Sequence, residues 1–192
     1  MLIDASYGRG GCCPYPPYPY PPQPPQPPQP QPPVPVPRTE PDTLSVQLAT
    51  AQTALANGAA IPMTGTLRQT GDGLSYDTAS RAVLVSEAGV YAFVWQVLVQ
   101  SDGAAADAVI ALQSLDGQTV LGYSGALAVP ADGGTLVTGS AVAYLPAGTA
   151  WALVNVSGAP INLPVTGTAP AVFAASMTVT EVGGTGRMPL FR

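Results

Sequence analysis

Cys12 and Cys13 are the most reactive side chains in a sequence that contains neither histidine nor lysine. The single peptide bond between adjacent cysteines strains the geometry that a disulfide needs. Each is therefore expected to pair with a cysteine of another chain, forming an intermolecular cross-link in an oxidising setting. Reduced or lipid-modified thiols are alternatives. So is metal binding, for which the lack of histidine and of a C-x-x-C spacing leaves a poor ligand set. Asp102, Asp107, Asp116 and Asp132 sit at turn signals, but their spacing matches no calcium loop and turn formation accounts for them. Serine and threonine hydroxyls are plentiful, yet no base is present to activate one. Without histidine there is no neutral-pH proton shuttle, and without lysine no Schiff base or phosphate-loop ammonium. Six scattered arginines form no nucleic-acid footprint. No catalytic, cofactor-binding or metal-binding residue is predicted, and the chain reads as a non-enzyme.

The elements that position these groups follow from an uneven composition. Of 192 residues 23 are proline, and sixteen of those lie between Pro14 and Pro41. Residues 1–13 form a short head in which Met1, Leu2, Ile3 and Tyr7 are candidate docking residues and a glycine hinge precedes the cysteines. Residues 14–41 form an arm. Proline fixes φ and holds its predecessor extended, so the tract is expected to be polyproline II, reaching about 75 Å over Pro14–Pro37 at roughly 3.1 Å per residue. Tyr15, Tyr18 and Tyr20 open it, suited to an aromatic groove or to stacking on neighbouring arms. Gln23, Gln26 and Gln29 recur every three residues and share one side of such a helix. Collagen would need glycine at that period, which is absent, so a tight triple helix is excluded. A plain stiff spacer remains the simplest reading of the tract. Residues 184–192 form a tail in which Leu190 and Phe191 are a second candidate docking element.

Residues 42–183 change texture to short apolar runs separated by Gly, Asn, Asp and Pro, the pattern of an all-β domain. About ten strands are predicted: Leu44–Thr50, Gly65–Gln69, Leu74–Tyr76, Arg81–Ser86, Gly89–Gln100, Ala108–Ser114, Thr119–Ser124, Gly134–Leu145, Thr149–Val156 and Ala171–Glu181. That number suits a jelly-roll sandwich. In the fifth, Tyr91, Phe93 and Trp95 share one face as core or subunit-interface residues, while Val90, Ala92 and Val94 make the other face apolar too. Such a strand is expected to be buried on both sides, inside the sandwich or with one side against another subunit, and the same is expected of Gly134–Leu145 and Ala171–Val179, which are rich in Ala, Val and Thr and nearly free of charge. With 9 % charged residues the domain has more apolar surface than one core needs, and oligomerisation covers such surface. Met1-Leu2-Ile3 is followed at once by Asp4, so export by the general secretion pathway is not expected. The window 82–99 alternates like a strand, which argues against a membrane helix.

The run Ala82-Val83-Leu84-Val85-Ser86-Glu87-Ala88-Gly89-Val90-Tyr91-Ala92-Phe93-Val94-Trp95 resembles the globular heads of the complement and tumour necrosis factor-like superfamily. It looks closest to the carboxy-terminal heads of bacterial collagen-like exosporium proteins. The resemblance spans about residues 43–182 and implies a tight homotrimer of jelly rolls. The double cysteine followed by an arm and a jelly roll is similar in layout to endospore appendage pilins. Together these imply a structural subunit of a self-assembling spore-surface fibre, its partners being further copies of itself. The chain would form a homotrimer and then a head-to-tail polymer, with a basal spore-coat or exosporium protein as a possible anchor. A trimeric adhesin or receptor-binding head tethered by the arm is the alternative. Neither nucleic acid, membrane nor cofactor enters either reading.

Overall fold

The computed structural model describes residues 40–165 and 173–184. The chain divides into two units, Met1–Pro37 and Arg38–Arg192, and the described residues all belong to the second. Among them are twelve β-strands and no helix: β1 Thr43–Leu48, β2 Gln52–Leu55, β3 Gly65–Thr70, β4 Leu74–Asp77, β5 Ala82–Val85, β6 Gly89–Ser101, β7 Ala106–Ser114, β8 Val120–Val129, β9 Thr135–Leu145, β10 Thr149–Asn155, β11 Ile161–Leu163 and β12 Ala175–Gly184. All pairings are antiparallel. Sheet 1 runs β2-β11-β6-β12-β1-β3 with β9 also paired to β6, and sheet 2 runs β4-β5-β10-β7-β8. The chain crosses repeatedly from one sheet to the other while first and last strands, β1 and β12, pair side by side, which gives a jelly-roll sandwich.

Side-chain alternation places the core. In β1, Leu44, Val46 and Leu48 are buried and Thr43, Ser45 and Gln47 point the other way. In β6, Tyr91, Phe93, Trp95, Val97 and Val99 are all fully buried and meet Ile110 and Leu112 of β7 and Leu153 of β10 in one cluster between the sheets. Among the described residues the opposite face of β6 is left partly open: Val94 is 59 % exposed. The strand enclosed on both sides is instead β10, where Ala152 and Val154 are buried as well as Trp151 and Leu153.

Two strands exceed the ten expected. β2 and β11 have four and three residues, too few to show a period, and side-chain amides hold them. Asn162 Oδ1 accepts from Ala54 N at 2.7 Å. Asn155, fully buried, donates from Nδ2 to Leu55 O and Ala159 O at 2.9 Å each, and its Oδ1 accepts from Ser157 N and Oγ. β8 continues past its expected end at Ser124 to Val129 across a bulge, where Ala128 has φ 50° and donates its N–H to Asp107 Oδ1 at 3.0 Å. The first strand stops at Leu48, two residues before its expected end, and the last is described only from Ala175.

Three contacts tie the sandwich together. Trp95 is directly opposite Gly139 of β9, and a Cβ added at Gly139 would fall within the indole ring. The ring continues to Gly122 of β8, where an added Cβ would lie 3.3 Å away, and its Nε1 donates to Ser124 Oγ at 2.7 Å. Where the chain enters β1, the buried Asp42 carboxylate occupies the space that side chains at Gly71 and Gly73 would fill, while Asp42 O accepts from Glu181 N at 2.8 Å. Tyr91 Oη donates to Glu87 O at 2.8 Å and pins the turn that leads into β6.

Gly139→Ala is expected to cost about 1–3 kcal/mol of stability, because the indole has to leave its rotamer or its hydroxyl partner; urea unfolding followed by tryptophan fluorescence measures it. A second expectation concerns acid. In the turn after β4, Ser80 Oγ donates to Asp77 Oδ2 at 2.6 Å and the N–H groups of Ala79 and Ser80 add two more bonds. The hydroxyl chiefly, then the amides, hold the Asp77 carboxyl below its usual value. A depressed folded-state value means stabilisation that is present above the ordinary carboxylate range and is lost as pH falls through the folded one. The melting-temperature difference between the chain and Ser80→Ala is therefore expected to be largest near neutrality and to shrink below about pH 4.

Candidate self-association surface

The outward face of β6 continues onto β9 in strict register: Val90 faces Tyr144, Ala92 faces Val142, Val94 faces Ser140, Gln96 faces Thr138 and Leu98 faces Leu136. Val94, Leu136, Val142 and Tyr144 are each more than half exposed. β9 ends sheet 1 on this side, β8 ends sheet 2, and the two edge strands lie side by side. On β8, Tyr123 is 66 % and Leu127 83 % exposed. The apolar residues therefore form a band that runs over the outer face of sheet 1 and around the paired edges onto sheet 2. Neither β6, β8 nor β9 contains a charged residue or a proline. Edge strands of soluble proteins usually carry such residues, or bulges, to block pairing with another chain; β8 has only bulges, at Ala128 and at Leu121.

Towards β1 the same outer face becomes polar. Ser45 Oγ and Thr178 Oγ1 share a hydrogen bond of 2.9 Å, and Thr43, Gln47, Ser176 and Thr180 complete the patch. Gln47 Oε1 is buried with no partner among the described residues. A buried acceptor left unpaired is costly, and a donor from another chain would remove that cost.

Tyr91, Phe93 and Trp95, expected at the core or at a subunit interface, lie in the core, and their alternating neighbours Val90, Ala92 and Val94 face outward. Sequence reasoning found that face and expected the same of Gly134–Leu145, which carries Leu136, Val142 and Tyr144, but it missed Tyr123 and Leu127 on β8. Of β12, also expected to be apolar on both sides, the outward residues are Ser176, Thr178 and Thr180. The available signal for β8 was its freedom from charge. Cys12, Cys13, Met1, Leu2, Ile3, Tyr7, Tyr15, Tyr18, Tyr20, Gln23, Gln26 and Gln29 lie outside the described residues, as do Leu190 and Phe191. Of the aspartates expected at turns, Asp116 serves one: its Oδ1 accepts from Ser114 Oγ at 2.5 Å and from Gln118 N at 3.0 Å, and the serine hydroxyl chiefly holds that carboxyl below its usual value. Asp107 instead stands within β7 and accepts from Ala128 N across the bulge.

No protein-family model and no curated protein sequence matches the chain. Solved structures do. The Eiger tumour necrosis factor of S. frugiperda superimposes with a TM-score of 0.59 at 12 % identity over 80 % of this chain and 99 % of its own. The globular domain of zebrafish complement 1qA gives 0.55 at 17 % identity, over 74 % and 98 %. Murine APRIL at pH 5.0 gives 0.52 at 13 % identity, over 74 % and 100 %. The chain thus has the jelly-roll fold of tumour necrosis factor-like and complement 1q-like heads.

Val142→Asp and Leu127→Asp change exposed positions and are expected to leave the circular dichroism spectrum intact and stability within about 0.5 kcal/mol. A charge buried without a partner costs about 3–5 kcal/mol. Either substitution is therefore expected to weaken self-association at least about a hundredfold, read as a fall in mass by light scattering.

Proposed function

We propose that the chain is a non-catalytic structural subunit: a homotrimeric jelly-roll head whose proline-rich arm links one trimer to the next in an extracellular fibre of the spore-surface kind, with Cys12 and Cys13 cross-linking the joints. The observation that carries this reading is the uncharged apolar band on β6, β9 and β8. A monomer in water gains nothing from leaving six large apolar side chains side by side, whereas a second copy removes them from water at roughly 25 cal/mol per Å². The orphaned Gln47 acceptor on the same sheet supports a chain-to-chain contact there. The fold shared with complement 1q-like heads supports a trimer as the closed form. The arm supports linkage, since about 75 Å of polyproline II would bridge from one head to another. The exposed aromatic residues Tyr123 and Tyr144 stand on strands, not on loops, which favours packing between copies over capture of a receptor by loops.

Electron microscopy of the purified full chain, with and without reductant, tests the proposal. Filaments that resist denaturant and shorten on reduction, or on Cys12→Ser with Cys13→Ser, are expected. A soluble trimer with a mobile arm in solution scattering, at high concentration and under oxidising conditions, would overturn the fibre reading while leaving the trimer standing.

A further inference from the structure

We infer that Asp107 is a positioning residue for the contact between copies: its side-chain oxygen holds the bulge of β8 that turns Leu127 outward at the end of the apolar band. The inference deepens the self-association reading and rests on it, since Leu127 stays assigned to that contact.

The register of β8 against β7 shows what the bulge does. Tyr123 faces Ala111, Ser124 faces Ile110, Gly125 faces Val109 and Ala126 faces Ala108, after which the pairing jumps to Val129 with Ala106. Leu127 and Ala128 therefore stand together against the single residue Asp107. Strict alternation would put Ala126 and Ala128 on the core side and leave Leu127 and Val129 outside. The extra residue changes that parity. Ala126 packs against the core and Val129 is fully buried in it, while Leu127 and Ala128 are both exposed. Leu127 is the most exposed large apolar side chain among the described residues, so the core gains Val129 without drawing Leu127 inward.

The bulge needs a support. Ala128 has φ 50°, a left-handed backbone that glycine adopts freely and alanine only under strain. Its N–H donates to Asp107 Oδ1 at 3.0 Å, a bond strengthened by the charge of its acceptor. Ala54 of β2 repeats the arrangement, with φ 50° and an N–H that donates to Asn162 Oδ1 at 2.7 Å. There a neutral amide oxygen serves, so the acceptor matters more than its charge.

Side chains give Leu127 little help. On the outward side of the two strands its neighbours are Gly125, Val109 and Asp107 itself. With so little packed against it, the direction of Leu127 follows from the backbone, and the backbone at this point follows from the bond to Asp107. Loss of that acceptor frees Ala128 to relax out of the left-handed region, and the outward turn of Leu127 is lost with it.

Sedimentation of the full chain over a range of concentrations, with circular dichroism and melting temperature measured on each variant, tests this. Asp107→Ala is expected to weaken self-association at least about tenfold with an unchanged spectrum. Asp107→Asn keeps an oxygen that can accept and is expected to stay within about threefold of the parent. Ala128→Gly added to Asp107→Ala is expected to recover most of the loss, because glycine holds the left-handed turn unaided. Should Asp107→Ala fail to fold, the double variant decides: association like the parent's supports the inference, and weak association of a folded double variant overturns it. A lower melting temperature with unchanged association, or Asp107→Asn as weak as Asp107→Ala, also overturns it. Association abolished by Leu127→Asp but untouched by Asp107→Ala removes this inference alone, whereas a parent chain that stays single at every concentration removes the self-association reading and this inference together.

Discussion

The indole of Trp95 needs room that an ordinary strand pair does not leave, and the sandwich is arranged to supply it. Gly139 leaves the cross-strand position opposite empty, Gly122 does the same on β8, and Ser124 accepts the ring N–H. These partners belong to different sheets, so one side chain fixes how close β9 and β8 approach. The same approach turns two separate sheet edges into a single apolar band. The far side is held by polar groups instead: Tyr76 Oη, its phenol pushed above its usual value chiefly by burial, accepts from Met63 N at 2.9 Å, and Asp42 fills the Gly71–Gly73 turn. One side of the molecule is thus closed by packing and the other by hydrogen bonds.

Most of the fold was legible because its strands obey a period of two and its turns use glycine with aspartate or asparagine. β1, β6, β7 and β9 needed nothing more. What escaped was held by side chains distant in sequence: β2 by Asn155 and Asn162, and the far half of β8 by Asp107 across a bulge. A three- or four-residue strand has no periodicity to detect, and a bulge shifts the alternation that would have extended β8. The roles of Gly122 and Gly139 were equally hidden, since a glycine inside a strand signals a close neighbour without naming it. The candidate surface was half legible. Apolar residues on both faces of β6 announced a second partner, but which strands continued that face depended on the β6–β9 register, which no local pattern encodes.

Scarcity of charge links the chemistry that is absent to the surface that is present. A chain lacking lysine and histidine has few side chains with which to activate a nucleophile, and the same lack leaves β8 and β9 without the groups that normally keep edge strands apart. Among the described residues carboxylates supply nearly all the charge and lie mainly at turns, as Asp77 and Asp116 do, where they accept backbone N–H groups. They therefore stabilise the turns without interrupting the apolar band. Net negative charge confined to the ends of the sandwich permits lateral contact and opposes end-to-end contact between bare heads.

That opposition bears on polarity. Because β1 and β12 are antiparallel, with Thr43 opposite Thr180, the chain enters and leaves the sandwich at the same end. The other end is closed by the turns at Gly58, Gly103 and Gly158, where Gly158 N donates to Asn57 Oδ1 at 2.8 Å and Asn162 Nδ2 to Asp102 Oδ1 at 3.2 Å. The two ends are chemically different: one carries both connecting segments and the arginines they contain, the other a compact set of short, hydrogen-bonded turns. A contact made by a segment leaving one end with any other part of a second head cannot be reciprocated by the same surfaces, so it is heterologous. If it fails to close into a ring, it propagates with a fixed direction. In the proposed fibre, lateral contacts through the apolar band would close on themselves and set the size of each unit, and contacts through the connecting segments would set the length.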